Sequence, residues 1–329
     1  VDYVTTYLSI VTVVSCGIMF QVCFERLLQS TGKTIFTMIS QATGAIINII
    51  MDPVLIFGIG PFPEMGMAGA AWATVLGQII GALLGCWCNL HYNPELTLTF
   101  RGFRPSGTII GKIYSVGVPS IIMSSIGSVM TFGMNKILGV FNSTAVAVFS
   151  AYFKLESFVF MPVFGLNNGI VPIIAYNYGA RRPDRIAKTA RLGVLYGLVI
   201  MVVGTLLFCV VPHLLLGIFN ASDYMLTLGV PALRIISLSF PFAAFGIVTS
   251  SVCQALGKGV LSLTVSVLRQ LVLILPVAWL LGQVAGLNAV WLAFPFAEVF
   301  SFLLSAFFMA YLFRTIVRPL RAPESGSLA

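Results

Sequence analysis

Long apolar runs, separated by short polar breaks, recur from one end of the chain to the other. Each run reaches about 20 residues, the length that a helix needs to cross a bilayer. Alternating ten-residue strand patterns, typical of outer-membrane barrels, are absent. The pattern predicts an all-α polytopic membrane protein with nine spans, at 3–24, 34–58, 67–90, 116–140, 144–176, 187–219, 224–254, 259–282 and 287–313.

Composition and charge support this prediction and orient the chain. Hydrophobic residues make up 58% of the sequence and charged residues only 9%, against about 25% charged residues in soluble domains. Fourteen of the 18 Lys and Arg residues fall in alternate loops, at 26–33, 101–112, 181–191, 258 and 314–321. The positive-inside rule places these loops and the C-terminus in the cytoplasm. The net charge of +8 therefore orients the protein and contacts lipid headgroups, and it predicts no nucleic-acid partner. The six cysteines lie in or beside apolar runs and predict neither a disulfide nor a metal site.

Two segments of the chain resemble each other at an almost constant offset. "LLQSTGKTIFTMIS" (27–40) resembles "VCQALGKGVLSLTV" (252–265), and "MGMAGAAWA" (65–73) resembles "AGLNAVWLA" (285–293). Both copies have the same orientation, as in the parallel repeats of transporters. Spans one to three then match spans seven to nine, while spans four to six have no counterpart. We therefore expect a six-plus-six architecture whose first three helices are missing here, in a chain that starts at Val1 on the external side.

An aspartate interrupts the apolar stretch "AIINIIMDPVLIFG" (45–58). A charge at this depth costs roughly 2.5–3.5 kcal/mol on insertion scales. Gln41, Asn48 and Asp52 fall within about 60° of one another on a helix. Pro53 removes the hydrogen bond to the Ile49 carbonyl. These oxygens suit Na⁺, and the aspartate also suits a proton-loading role. A proline bend with a paired aspartate is the alternative.

The repeat separates the two unusual residues of this stretch. The corresponding segment "LVLILPVAWL" (271–280) keeps a proline, Pro276, but has no Asp or Asn. The proline is therefore interpreted as architectural, and Asp52 with Asn48 as functional.

Other ionisable residues within the spans are Lys154, Glu156, Arg234, Arg269 and Glu298. Each has two interpretations, an ion pair between helices or a role in transport. Glu156, Arg234 and Glu298 are retained as candidates for a substrate cavity, together with Gln41.

The fifth span contains "FMPVFGLNNGIVPIIAYNYG" (160–179), in which Pro162 and Pro172 predict helix bends. Asn167 and Asn168 place amides at depth, where irregular helix persists only against protein or a water-filled cavity. The segment is therefore either a wall of a substrate cavity or a site of tight helix packing through small residues.

In order along the chain, "FERLLQSTGK", "NIIMDPVLIFG", "MGMAGAAWAT", "VGVPSIIMSSIGSV", "FMPVFGLNNGIVPIIAYNYGARR" and "QALGKG" resemble the multidrug and toxic compound extrusion (MATE) family, in particular its bacterial branch. The resemblance implies two six-helix lobes around a central cleft, alternating access, and drug export driven by inward H⁺ or Na⁺. It also implies the domain limits: 1–92 as a partial N-lobe with family helices 4–6, 93–115 as a cytoplasmic linker, 116–313 as the C-lobe with family helices 7–12, and 314–329 as a cytoplasmic tail.

The family's N-lobe cation site contains an Asn and an Asp one turn apart on the fifth helix, and these match Asn48 and Asp52. A further Asp of that site lies on the first family helix, which this chain does not contain. Another branch carries a Glu on the seventh helix, where this sequence has Gly127, eight residues past Gly117-Val118-Pro119. The resemblance therefore assigns coupling to the N-lobe.

The sequence thus predicts a secondary active antiporter, not an enzyme, that exports cationic or amphipathic drugs from a bacterial cytoplasmic membrane. We expect a monomer in lipid that uses H⁺ or Na⁺ as coupling ion and no cofactor. Two alternatives remain open: a flippase for lipid-linked oligosaccharides, which favours a cationic groove, and an integral-membrane transferase. Transferase chemistry needs clustered carboxylates for Mg²⁺, whereas the ten acidic residues here are scattered.

Overall fold

Helices account for almost all of residues 2–97 and 104–321, the part of the chain that the computed structural model describes. A bilayer offers no water to the backbone, so spanning segments satisfy their amides and carbonyls internally. No strand occurs in these two ranges. The α-helices are α1 (Asp2–Val13), α2 (Cys16–Ser30), α3 (Thr34–Phe57), α4 (Gly66–Tyr92), α5 (Gly107–Gly139), α6 (Ser143–Gly179), α7 (Pro183–Val210), α8 (Pro212–Gly217), α9 (Asp223–Ser237), α10 (Phe240–Ala255), α11 (Gly259–Val267), α12 (Leu275–Ala285), α13 (Leu287–Val290) and α14 (Ala293–Leu312).

Within the described ranges, seven helical segments are long and apolar enough to cross a membrane, and two bent pairs raise the number to nine. The pairs are α1 with α2, bent by 52°, and α9 with α10, bent by 48°. At the first bend, the Ser15 and Gly17 amides donate to carbonyls three residues back, which tightens the turn. The described helices confirm the prediction of an all-α polytopic membrane protein.

Some boundaries differ from those expected. The first span continues to Ser30 rather than ending at 24, and α5 begins at Gly107, inside the expected linker 93–115. Residues 98–103 of that linker, with Arg101, lie outside the described residues, as do 322–329 of the expected tail.

The internal repeat has a structural counterpart at two turns. Gly32 and Gly257 both adopt left-handed backbone, with φ of 77° and 72°. The Lys33 amide donates to the Leu28 carbonyl at 2.8 Å, and the Lys258 amide donates to the carbonyl of residue 253 at 2.7 Å. Both are the six-to-one bonds of a Schellman C-cap, in which glycine avoids the penalty of a side chain. The first helix of each copy therefore ends in the same type of C-cap.

The chain divides into two compact units, Val1–Arg104 (unit 1) and Pro105–Ala329 (unit 2). In unit 1, α3 and α2 pack along α4. The closest approach is at two glycines: a methyl group added to Gly44 would lie 2.9 Å from the Gly77 carbonyl oxygen, and one added to Gly77 would lie 2.6 Å from that of Gly44. Only glycine at both positions permits this helix crossing.

Unit 2 is built around an aromatic and aliphatic core shared by α6, α7, α9, α10 and α14. Its largest fully buried side chains include Phe149, Phe208, Phe240 and Trp291. A π-helical segment, Leu268–Ile274, joins α11 to α12 and packs against α14. Such segments are often found at functional sites.

Candidate functional site

Four side chains from three helices of unit 1 form a polar cluster around Asp52, which we call the Asp52 cluster. The Asn48 amide donates to Asp52 Oδ1 at 3.4 Å and to Thr74 Oγ1 at 3.5 Å. The Tyr7 hydroxyl lies 3.5 Å from Thr74 Oγ1. These distances are at the long end of the hydrogen-bonding range. The cluster is therefore loose, with one carboxylate surrounded by neutral groups.

The helical spacing explains how this cluster forms. Asn48 and Asp52 lie one turn apart on α3, so their side chains point the same way. Thr74 faces them from α4 and is held by a hydrogen bond from its hydroxyl to the Ala70 carbonyl at 3.0 Å. Both Asn48 and Asp52 are half-buried, which leaves the carboxylate accessible.

A cavity of about 190 Å³ adjoins the Asp52 cluster. Its lining residues come from α2, α3 and α4, and they are Gln21, Gly44, Ala45, Asn48, Thr74, Gly77 and Gln78. Gln78, one of the lining residues, has an Oε1 that is buried and has no hydrogen-bond partner, which is unusual in native structures.

A second carboxylate lies beyond the opposite wall of the cavity. Glu25 of α2 is only 4% exposed. Its Oε1 accepts a hydrogen bond from the Gln21 amide at 3.0 Å, and its Oε2 accepts one from the Gln41 amide at 2.8 Å. Unit 1 therefore has two acidic groups near the cavity: Asp52, bonded to the lining residue Asn48, and Glu25, bonded to the lining residue Gln21.

Several of these residues were not predicted from the sequence. Glu25 falls just past the expected end of the first span at 24, where the charged pair "ER" follows the apolar run. Gln21 precedes Glu25 by one helical turn inside an apolar run, which is the signal that could have identified both. Tyr7 and Thr74 have no such signal, because single Tyr and Thr residues are common in membrane helices.

Gln41 was expected to lie with Asn48 and Asp52, whereas its amide pairs with Glu25. The residues predicted to bend helices lie within continuous segments: α3 runs through Pro53, and α6 runs through Pro162 and Pro172. Among helix pairs joined by a short break in the described part of the chain, α1–α2 and α9–α10 are bent by more than 40°.

The remaining candidates for a substrate cavity belong to unit 2, where two of them share one neighbourhood. The Arg269 guanidinium lies 2.8 Å from Glu298 Oε1 in an ion pair between the π-helical segment and α14. Glu156 of α6 interacts electrostatically with both members of that pair.

The other candidates in unit 2 lie apart from one another. Arg234 is exposed on α9, and its Nε donates to the Cys209 carbonyl at 3.1 Å. Asn168 is exposed on α6, whereas its neighbour Asn167 is half-buried, with an Oδ1 that has no hydrogen-bond partner. No group of three or more His, Cys, Asp or Glu side chains that could hold a metal ion occurs within 2–97 and 104–321.

Comparison with known proteins identifies relatives over nearly the whole chain. Residues 119–280 match the MatE family model. The multidrug export protein MepA of Staphylococcus haemolyticus is 26% identical over 320 residues, which are 97% of this chain and 68% of that protein. MepA of Staphylococcus aureus is 24% identical over 310 residues, covering 94% and 67% of the two chains.

Solved structures give the same result. A MATE transporter in its bent conformation superposes with a TM-score of 0.88 at 21% identity, over 97% of this chain and 70% of that one, which supports the fold. The MATE multidrug transporter DinF-BH, solved in complex with a drug, has a TM-score of 0.84 and 31% identity, over 96% and 70% of the two chains. At this level of identity and coverage, the chain is a multi-pass membrane protein that belongs to the MATE family of transporters.

Proposed function

We propose that this protein exports cationic and amphipathic drugs by alternating access, in exchange for H⁺ or Na⁺ taken up at Asp52 and Asn48. The observation that carries the proposal is the loose Asp52 cluster beside a cavity whose lining includes Gln21, Asn48, Thr74 and Gln78. The names of the relatives support the substrate class, since MepA is a multidrug export protein and DinF-BH is a multidrug transporter solved with a drug.

The Asp52 cluster suits either coupling ion. Asp52 supplies the negative charge, and the oxygens of Asn48, Thr74 and Tyr7 are hard donors of the kind that cations such as Na⁺ accept in proteins. Rotation of the Asn48 amide by half a turn replaces its NH₂ group by its carbonyl oxygen. Proton uptake needs Asp52 alone. In both cases, the charge on the carboxylate is neutralised when the ion binds.

The substrate is proposed to enter the cavity between Asn48 and Gln21. The buried Glu25 carboxylate, held by the Gln21 and Gln41 amides, gives this region a negative potential that favours cations. A volume of about 190 Å³ is below the usual range of 300–1,000 Å³ for drug-sized ligands. We therefore expect one edge of a flat cation to occupy it.

The orientation proposed from the basic loops makes the exchange favourable. With the C-terminus and Lys33 on the cytoplasmic side of a bacterial inner membrane, Asp52 lies near the external end of α3. A positive charge that moves inward gains about 2.3 kcal/mol per 100 mV. A corresponding difference in drug affinity between the two facing states is enough to drive export. Unit 1 is proposed to act as the N-lobe portion and unit 2 as the C-lobe of a monomer in lipid.

The direct test is Asp52→Asn in the protein expressed from its native reading frame, with ethidium efflux from cells as the readout. We expect coupled efflux to be lost while the protein is still made and inserted. Asp223→Asn is the matched control, because Asp223 is exposed in the first turn of α9. Wild-type efflux by Asp52→Asn would refute the assignment of the coupling site.

The coupling ion is decided by a second measurement on the wild type in proteoliposomes. A Na⁺ gradient and a pH gradient are imposed separately, and ethidium transport is followed under each. The gradient that supports transport identifies the ion.

A further inference from the structure

Unit 2 buries a charged cluster that the proposed coupling site does not use. Glu298 is 7% exposed and accepts from Arg269 through Oε1 at 2.8 Å. Its second oxygen, Oε2, is also buried and has no hydrogen-bond partner. A deeply buried carboxylate oxygen without a donor is unusual in native structures, so this atom is available to a proton.

A second carboxylate faces the same ion pair. Glu156 lies on α6, one turn after Tyr152, so the two side chains lie on the same face of the helix. The charges of Arg269 and Glu298 both act on Glu156. The surroundings are apolar, because the Tyr152 ring packs against Phe294 of α14 with centroids 6.1 Å apart.

The positive charge available to this cluster is one unit short of the negative charge. Arg269 is the single cation that acts on the two carboxylates within the described residues. Lys154 is exposed and lies two residues from Glu156, on a different face of α6. On the neighbouring α5, Lys136 lies 5.6 Å from the centre of the Phe132 ring.

Three other elements add no compensating charge. Arg234 of α9 bonds to the Cys209 carbonyl, and the adjoining helices α11 and α12 contain no charged residue. An uncompensated charge in an apolar core is costly. The neutral state of the cluster therefore contains one added proton.

We propose that Glu156 and Glu298 form a second proton site, which holds one proton between them against Arg269 and releases it when drug binds. The step is a proton transfer only: the shared carboxylic acid becomes a carboxylate, and the proton leaves to water. Glu156 provides the exit because it is only half-buried. The π-helical segment supports the exchange, because a change of winding there would move Arg269 relative to Glu298. This inference rests on the proposed function, since drug export must drive the release.

The experiment counts protons released when ethidium is added to the purified protein in weakly buffered detergent near pH 7. A pH dye reports the protons, and ethidium fluorescence in the same sample reports bound drug. Glu156→Gln is the main variant, since it leaves the Arg269–Glu298 pair in place. We expect it to release one proton fewer per bound drug than the wild type. Glu64→Gln, in an exposed loop of unit 1, is the control and should match the wild type.

The same comparison in the Asp52→Asn background separates this inference from the proposed function. Glu156→Gln should again remove one proton relative to Asp52→Asn alone, and Glu298→Gln should have the same effect where its thermal unfolding shows a folded protein. An unchanged count in Glu156→Gln would overturn the second site and indicate a fixed structural ion pair. Wild-type efflux by Asp52→Asn would instead overturn the coupling site and leave the second proton site standing.

Discussion

The acidic groups of the two units are built in opposite ways. Asp52 in unit 1 is half-buried beside a cavity, and the neutral Asn48 amide contacts it at 3.4 Å. Glu298 in unit 2 is 7% exposed within an aromatic core, and a guanidinium contacts it at 2.8 Å. The first arrangement keeps a charge accessible and weakly held, as uptake of an ion requires. The second places the charge in an apolar core, where a nearby opposite charge or a proton must neutralise it.

The largest effect expected from this contrast is on stability. Arg269→Leu should lower the free energy of unfolding by about 3–5 kcal/mol, because removal of one partner leaves Glu298 buried and uncompensated. Asp52→Asn should stay within about 1 kcal/mol of the wild type, since its surroundings are open and neutral. Reversible unfolding in SDS, followed by circular dichroism, measures both.

The sign of the pH dependence and a double variant sharpen this result. The penalty of Arg269→Leu should grow as the pH rises, because protonation at low pH neutralises the stranded carboxylate. Arg269→Leu with Glu298→Leu should recover most of the loss, since an apolar pair can replace a buried ion pair at little cost. A single variant as stable as the wild type would contradict the contrast.

An intermediate effect is expected at Glu25, the buried carboxylate of unit 1. Glu25→Gln keeps the size of the side chain but removes its charge, so ethidium affinity should fall about tenfold, which corresponds to about 1.4 kcal/mol. Ethidium fluorescence on the purified protein measures the affinity. Glu64→Gln, which removes an exposed acid of the same unit, should bind as the wild type does. Equal affinities in the two variants would exclude Glu25 from drug binding.

The smallest effect is expected at Thr74, one of the neutral groups around Asp52. Thr74→Val removes a hydroxyl worth about 0.5–1.5 kcal/mol, so the half-saturating concentration of the coupling ion should rise about twofold to tenfold. Thr74→Ser keeps the hydroxyl and should resemble the wild type. The readout is ethidium transport in proteoliposomes at graded concentrations of the ion. Identical values for Val and Ser would show that Thr74 does not contact the ion.

Much of the fold could be predicted from hydropathy, because spans require continuous apolar length. The spans expected at 34–58 and 67–90 correspond to Thr34–Phe57 and Gly66–Tyr92. The first span was predicted to end too early, just before Glu25. This carboxylate is buried, and two amide groups donate hydrogen bonds to it. In a hydropathy pattern, a charged residue marks the end of a span. The pattern contains no information on the hydrogen-bond partners that could bury that residue.

The same limit applies to the candidate site. Asn48 and Asp52 could be paired from helical spacing alone, since they lie on one helix. Tyr7 and Thr74 join them from other helices, and that contact depends on packing that no local pattern encodes. Arg269 and Glu298 are likewise 29 residues apart in the sequence. Each could be identified as an ionisable residue within a span, but their ion pair could not be predicted.

The glycine crossing of α3 and α4 has a practical consequence for measuring motion. Because the Gly44 and Gly77 backbones leave no room even for a methyl group, these helices cannot move closer or slide along each other without steric collision. Spin labels at Phe57 and Met67, both exposed, should therefore keep a fixed separation in every state of the transport cycle. The distance between these two labels therefore serves as an internal reference for label distances measured elsewhere in the protein.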